Sequence, residues 1–110
     1  MRTNGNKYNV APKEARTADN VVFHSRHEME VYLGFAQLLR AGTILKLELQ
    51  VPYELRTFND VIVGKYLADF RVTDMGGAVS VYDAKGVSTA LYKWKRKHCE
   101  AEHGIRIIEL

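Results

Sequence analysis

A chain of 110 residues has room for one hydrophobic core, so any activity must sit on a single scaffold. Its 46% hydrophobic and 26% charged residues suit an ordinary globular domain. No apolar run reaches the roughly 20 residues of a membrane span, and Met1 to Asn20 lack a signal peptide's apolar stretch. A membrane partner and secretion are therefore not expected, whereas a cytoplasmic location is. The net charge of +3 says little by itself about partners. The lone cysteine, Cys99, excludes an intrachain disulfide and fits a reducing compartment.

Residues 1 to 21 are polar and aperiodic and read as a mobile N-terminal arm, leaving 22 to 110 as the folded domain. Ser25 and Glu28 have the spacing of a capping box, which starts a helix. Met29, Tyr32, Leu33, Phe35, Ala36 and Leu39 then recur at three- and four-residue intervals as its buried stripe, and Gly42 ends it. Leu45, Leu47, Leu49 and Val51 alternate with polar residues, the period of a strand. Pro52 is expected to interrupt that strand at an edge or bend. Tyr53 to Phe58 reads as a further strand, closed by Asn59-Asp60. Val61 to Val72 is another, with Gly64 as a bulge or bend.

Thr73 to Gly77 forms a hairpin loop, and Ala78 to Lys85 returns as a strand stopped by Gly86. Ser88 or Thr89 caps a second helix that runs to about His103, where Gly104 terminates it. Ile105 to Leu110 is strand-like. A crossover over the second helix would leave the last two strands parallel. The fold class expected is α/β, a mixed β-sheet flanked by helices.

Asp83 and Lys85, two apart on a strand, share a face. If Thr73 pairs with Val79, Asp69 stands opposite Asp83, and a one-residue slip would part them. Two facing carboxylates repel unless a positive charge sits between them. Lys85 alone would meet that need as a structural ion pair. A hard divalent cation meets it equally well, with the lysine serving a water or a developing phosphoryl charge.

The segments Tyr66-Leu67-Ala68-Asp69-Phe70 and Tyr82-Asp83-Ala84-Lys85-Gly86 resemble the split signature of the PD-(D/E)XK nuclease superfamily, with Ala68 in place of the usual proline. Phe23 to Glu28, Leu47 to Gln50, Ala68 to Phe70 and Asp83 to Gly86 further resemble a small phage-encoded family similar to Holliday-junction resolvases. The likeness covers about Val22 to Leu110. His24 and His27 depart from the pattern, standing where it carries an acid and an apolar residue.

The resemblance implies a restriction-endonuclease-like αβββαβ core and Mg²⁺- or Mn²⁺-dependent hydrolysis of DNA, branched DNA above all, with no organic cofactor. A phage origin would put it in host cytoplasm. By position, Asp69, Asp83 and the carbonyl of Ala84 would hold the metal, and Lys85 would serve the water or transition state. Glu28 would stand beside the metal, unless it serves only as the capping-box acid. Gln50 matches a strand residue of the family in an accessory role. Cutting both strands of a junction would call for a symmetric homodimer. Two rival functions are a nickase or general nuclease on linear or damaged DNA, and a non-catalytic DNA-binding or inhibitor protein on a nuclease fold.

Lys93, Lys95, Arg96 and Lys97 crowd into one stretch with Tyr92 and Trp94 between and beside them. Phosphate is the usual partner of such a cluster, so these four and Tyr92 are expected to face DNA. Leu91, Trp94, His98 and Ala101 are expected to form the helix's buried side, which puts Trp94 in the core and not under a base. His24, His27, His98, Cys99 and His103 lack the paired spacing of a zinc site. His98 and Cys99, as neighbours on a helix, do not face each other as a nucleophile pair.

Overall fold

The computed structural model describes residues 10–84 and 88–110. A 3-10 turn (Lys13–Arg16) leads into a small hairpin of β1 (Thr17–Ala18) and β2 (Val21–Val22). Helix α1 (Arg26–Arg40), strands β3 (Ile44–Arg56), β4 (Ile62–Asp74) and β5 (Val79–Asp83), helix α2 (Ala90–His103) and β6 (Ile107–Glu109) follow. The strands β3, β4 and β5 form an antiparallel meander, and β6 joins β5 in parallel, giving the sheet order β3-β4-β5-β6. This is the mixed α/β arrangement expected: helix, meander, helix, parallel strand.

Local chemistry sets the boundaries. The Ser25 Oγ accepts the Glu28 N–H at 3.0 Å and so caps α1, while Glu28 Oε1 reaches one residue further back to accept the His24 N–H at 3.3 Å. Thr89 Oγ1 caps α2 by accepting the Tyr92 N–H at 3.1 Å, and Gly104 closes it at φ 64°, where a side chain would be strained. The β4–β5 loop is held by Asp74 Oδ1, which accepts the Gly76 and Ala78 N–H groups at 2.9 Å. Thr73 then pairs with Val79, the register on which the expected site depended.

The helices cover opposite faces of the sheet. Val81 and Tyr82 are neighbours on β5 and so point to opposite sides. Val81 lies in a core with Val51, Leu55, Tyr66, Ala68, Cys99 and Ile107, beneath α2. Tyr82 packs in a second core with Phe35, Met29, Leu47, Leu49 and Phe70, beneath α1. Ala68 and Phe70, two apart on β4, fall in different cores, as do Val51 and Leu49 on β3. The apolar stripe of the hairpin therefore changes side at Asp69 and Gln50. Gln50 has φ 50°, a left-handed conformation costly for a side-chain-bearing residue. One hairpin thus lines both cores.

Five expectations need correction. Pro52 does not divide β3, which runs unbroken to Arg56 with Pro52 paired to Leu67. The strand lies at the sheet edge, where a missing N–H is tolerated. The irregularity on β4 is beside Gly64 and not at it: Leu55 pairs with Gly64 and Arg56 with Ile62, leaving Val63 as the extra residue.

The supposed mobile arm is folded over its described part. Arg16 Nε donates to the Ala11 carbonyl at 2.9 Å, the Tyr32 hydroxyl donates to Asp19 at 2.6 Å, and Ala18 packs on the α1-side core. On α2, the inward residues are Tyr92 and Cys99, whereas Leu91 (62% exposed) and Trp94 (56%) point outward. On α1, Leu33 and Leu39 are also exposed, and the core-facing residues include Met29, Tyr32 and Phe35 with Ala36.

Candidate metal centre

Three elements bring polar side chains to one place on the α1 side of the sheet. Glu28 comes from the first turn of α1, Gln50 from the left-handed point of β3, and Asp69 from the matching point of β4. Glu28 and Asp69 are almost fully buried, at 3% and 2% exposure. Gln50 Nε2 donates to Glu28 Oε2 and to Asp69 Oδ1, each at 3.1 Å. Buried carboxylates this near each other repel, and the shared amide offsets part of that. The strained backbone of Gln50 is what delivers it.

His24 completes the group. Its Nδ1 lies 3.4 Å from Glu28 Oε1, and one ligand atom each from His24, Glu28 and Asp69 fall within 4.8 Å of one another. Among the described residues, this is the cluster suited to a metal ion. The imidazole is largely solvent-exposed, and a cleft of about 160 Å³ bounded by Val22, His24, Glu28, Leu49 and Gln50 opens beside it. Two carboxylates suit a hard divalent cation such as Mg²⁺ or Mn²⁺, whereas the imidazole is a ligand that transition metals favour. Zinc spacing among the histidines does not single out His24. Its position four residues before Glu28, across a helix cap, was the available signal.

Asp69 and Asp83 follow the last β4–β5 pair, Phe70 with Tyr82, as the expected register requires. Asp69 Oδ2 accepts the Ala84 N–H at 2.9 Å, so the Ala84 peptide lies against Asp69. The two carboxylates nevertheless differ in their hydrogen bonds. Asp83, fully buried, accepts a short hydrogen bond from the Tyr66 hydroxyl, and Tyr66 belongs to the α2-side core. Asp83 keeps the facing of Val81, whereas Asp69 sits where β4 changes side. Among the described residues, the side chains grouped with Asp69 are thus Glu28, Gln50 and His24. Lys85 lies outside the described residues.

Around Asp83 the phenols are firmly protonated. Burial, followed by the Asp83 bond, pushes the Tyr66 hydroxyl well above the usual phenol range. Burial and the charges of Asp83 and Glu109 do the same for Tyr92, whose hydroxyl donates to Glu109 at 2.9 Å. Tyr92 is therefore a largely buried anchor of α2, and its 9% exposure leaves little surface for the DNA contact expected of it.

Of the basic cluster, Lys93 and Lys97 are exposed, and Lys95 and Arg96 are half-buried. Lys65 and Lys95 line a cleft of about 270 Å³ with Tyr66, Leu67, Thr89 and Tyr92. The other histidines of α2 are structural: His98 and His103 meet the Arg56 and Glu54 carbonyls at 2.8 and 2.7 Å, tying α2 to β3. Cys99 is fully buried, and burial pushes its thiol up to about 11. It is a packing residue with no nucleophilic character at neutral pH.

Residues 6–106 match a family model described as "Protein of unknown function (DUF1064)", and the chain belongs to that family. No curated protein and no solved structure matches it. None of the described helices is long and apolar enough to cross a membrane.

Proposed function

We propose that this member of the DUF1064 family is a divalent-metal-dependent endonuclease of the PD-(D/E)XK type. Its reaction is hydrolysis of DNA phosphodiester bonds, with branched DNA as the favoured substrate. The observation that carries the reading is the pair of buried acids, Glu28 and Asp69, held around the Gln50 amide beside a cleft open to solvent. The helix–meander–helix–strand order and the expected register at Asp69 support it. So does the split signature around Asp69 and Asp83.

In this reading Glu28 and Asp69 would hold a Mg²⁺ or Mn²⁺ ion, with His24 and the Ala84 carbonyl as further candidate ligands. A bound divalent ion would supply Lewis-acid polarisation of the phosphoryl group. The chain's own residues do the rest. Gln50 holds the two acids until a cation is bound, Lys85 would offset charge developing on phosphate, and the lysines of α2 would engage the DNA backbone. Asp83 would be freer to join the site on leaving the Tyr66 hydroxyl. A homodimer, which would pair two such sites on one junction, belongs to the same proposal.

One observation favours a second reading, a non-catalytic DNA-binding protein: Asp83 is fully buried and bonded to the Tyr66 hydroxyl of the α2-side core, outside the His24, Glu28 and Asp69 cluster. Incubating four-way junctions and linear duplexes with Mg²⁺, Mn²⁺ or EDTA decides between them, with Asp69→Asn and Lys85→Ala as controls. The nuclease reading expects metal-dependent cutting, faster on junctions, that both substitutions abolish. Binding without cutting would favour the second reading.

A further inference from the structure

Trp94 is the only tryptophan in the chain, and more than half of it is exposed on the outward face of α2. Helix α2 is anchored inward by Tyr92 and Cys99, so Trp94 projects away from the sheet, with Leu91 one turn before it and Lys97 one turn after. His98 meets the indole edge-on, with ring centroids 5.4 Å apart, and is itself fixed to the Arg56 carbonyl. The indole is thereby held in place with area left open.

The surroundings are cationic. Lys93 and Lys97 are exposed on either side of Trp94, and Lys95 is half-buried. Among the described residues none of the three is paired with an acid. The acids of α2 are engaged elsewhere: Glu100 accepts the Ile107 N–H at 2.8 Å, and Glu102 lies 3.2 Å from His98 while accepting the Arg56 N–H at 2.6 Å. An open aromatic ring among unneutralised ammonium groups is complementary to a polyanion that carries flat rings.

We propose that the outward face of α2 binds unpaired DNA, with Trp94 stacking on an exposed base and Lys93 and Lys97 contacting the flanking phosphates. A base inside a duplex has both π-faces covered by its neighbours, so a stacking platform selects strands that are single or splayed. The inference rests on the reading of the chain as a DNA-acting protein, and it names the feature of branched DNA that is recognised. A lipid surface is the weaker fit, since one indole and one leucine among lysines offer little area to insert.

The test is a fluorescence titration of the full chain, in EDTA so that no cutting occurs, with oligothymidylate, blunt duplex, heparin and phosphatidylserine vesicles. Trp94 is the sole indole, so its emission reports stacking directly. The expected result is quenching by oligothymidylate well below the concentration of duplex needed. In an anisotropy assay Trp94→Ala should weaken oligothymidylate binding about five- to hundred-fold, and Trp94→Phe should retain most of it. Lys93→Ala and Lys97→Ala should each lower the salt slope by roughly 0.7.

Heparin, which has no bases, should bind Trp94→Ala and wild type alike. Unchanged oligothymidylate binding by Trp94→Ala would overturn the proposal, as would a blue shift on vesicles with no response to DNA. Intact metal-dependent cutting alongside either result would leave the nuclease reading standing. Intact stacking without cutting would overturn the nuclease reading alone.

Discussion

Gln50 stands across the β3–β4 hairpin from Asp69 and donates its amide nitrogen to that carboxylate at 3.1 Å, while reaching Glu28 at the same distance. An uncharged amide is a modest counterweight to two buried acids, and its backbone is held at φ 50° to supply it. Gln50→Ala removes the shared donor. Without added metal its stability should fall by about 1–3 kcal/mol, the cost of withdrawing a donor from buried acceptors. Mn²⁺ should then raise its melting temperature more than that of wild type, because the cation replaces a missing donor and displaces none. Thermal melts of both proteins with and without Mn²⁺ check this, and a smaller metal effect in Gln50→Ala would contradict it.

Tyr66 fixes the direction of Asp83. In Tyr66→Phe the ring stays in the α2-side core and the hydroxyl bond to Asp83 is lost. We expect a stability loss of about 1–3 kcal/mol, measured by urea denaturation at neutral pH. If Asp83 enters the metal site on leaving Tyr66, the same variant should bind Mn²⁺ more tightly than wild type. Unchanged metal affinity would confine Asp83 to a structural part.

Cys99 should resist alkylation. Burial holds its thiol up to about 11, against an ordinary value of 9.0. The neutral thiol is thus favoured in the fold, and its contribution is complete below about pH 9 and lost as pH rises toward 11. Iodoacetamide at pH 8 should label Cys99 only after unfolding in guanidinium. Cys99→Ala should show a smaller decline in melting temperature between pH 9 and 11 than wild type. Labelling of the folded protein at the unfolded rate would refute the burial on which this depends.

The parts of the fold legible in the sequence were those governed by local chemistry. Ser25 and Glu28 announced the start of α1 because a cap is made within one turn, and the loop length between Thr73 and Val79 set the β4–β5 register. The facing of Asp69 was hidden for a reason of its own. Alternation carries a strand's sidedness forward indefinitely, and only the left-handed backbone of Gln50, opposite Asp69, reverses it.

On α2 two stripes fit the helical period equally well, one through Leu91, Trp94 and His98, the other through Tyr92, Arg96 and Cys99. The choice fell to partners distant in sequence: Glu109 for the Tyr92 hydroxyl, and Glu54 and Arg56 for the histidines. The folded state of residues 10–21 likewise depends on carbonyls that Arg16 finds away from its own turn. Spacing among the histidines does not point to His24, because its neighbours in space are acids.

The most direct test is calorimetric titration of Mn²⁺ into the wild-type chain and into Asp69→Asn and Glu28→Gln. The account predicts saturable binding by wild type that is abolished in Asp69→Asn and strongly weakened in Glu28→Gln, with all three proteins folded. Equal Mn²⁺ binding by wild type and Asp69→Asn, or no binding by wild type at millimolar Mn²⁺, would contradict it.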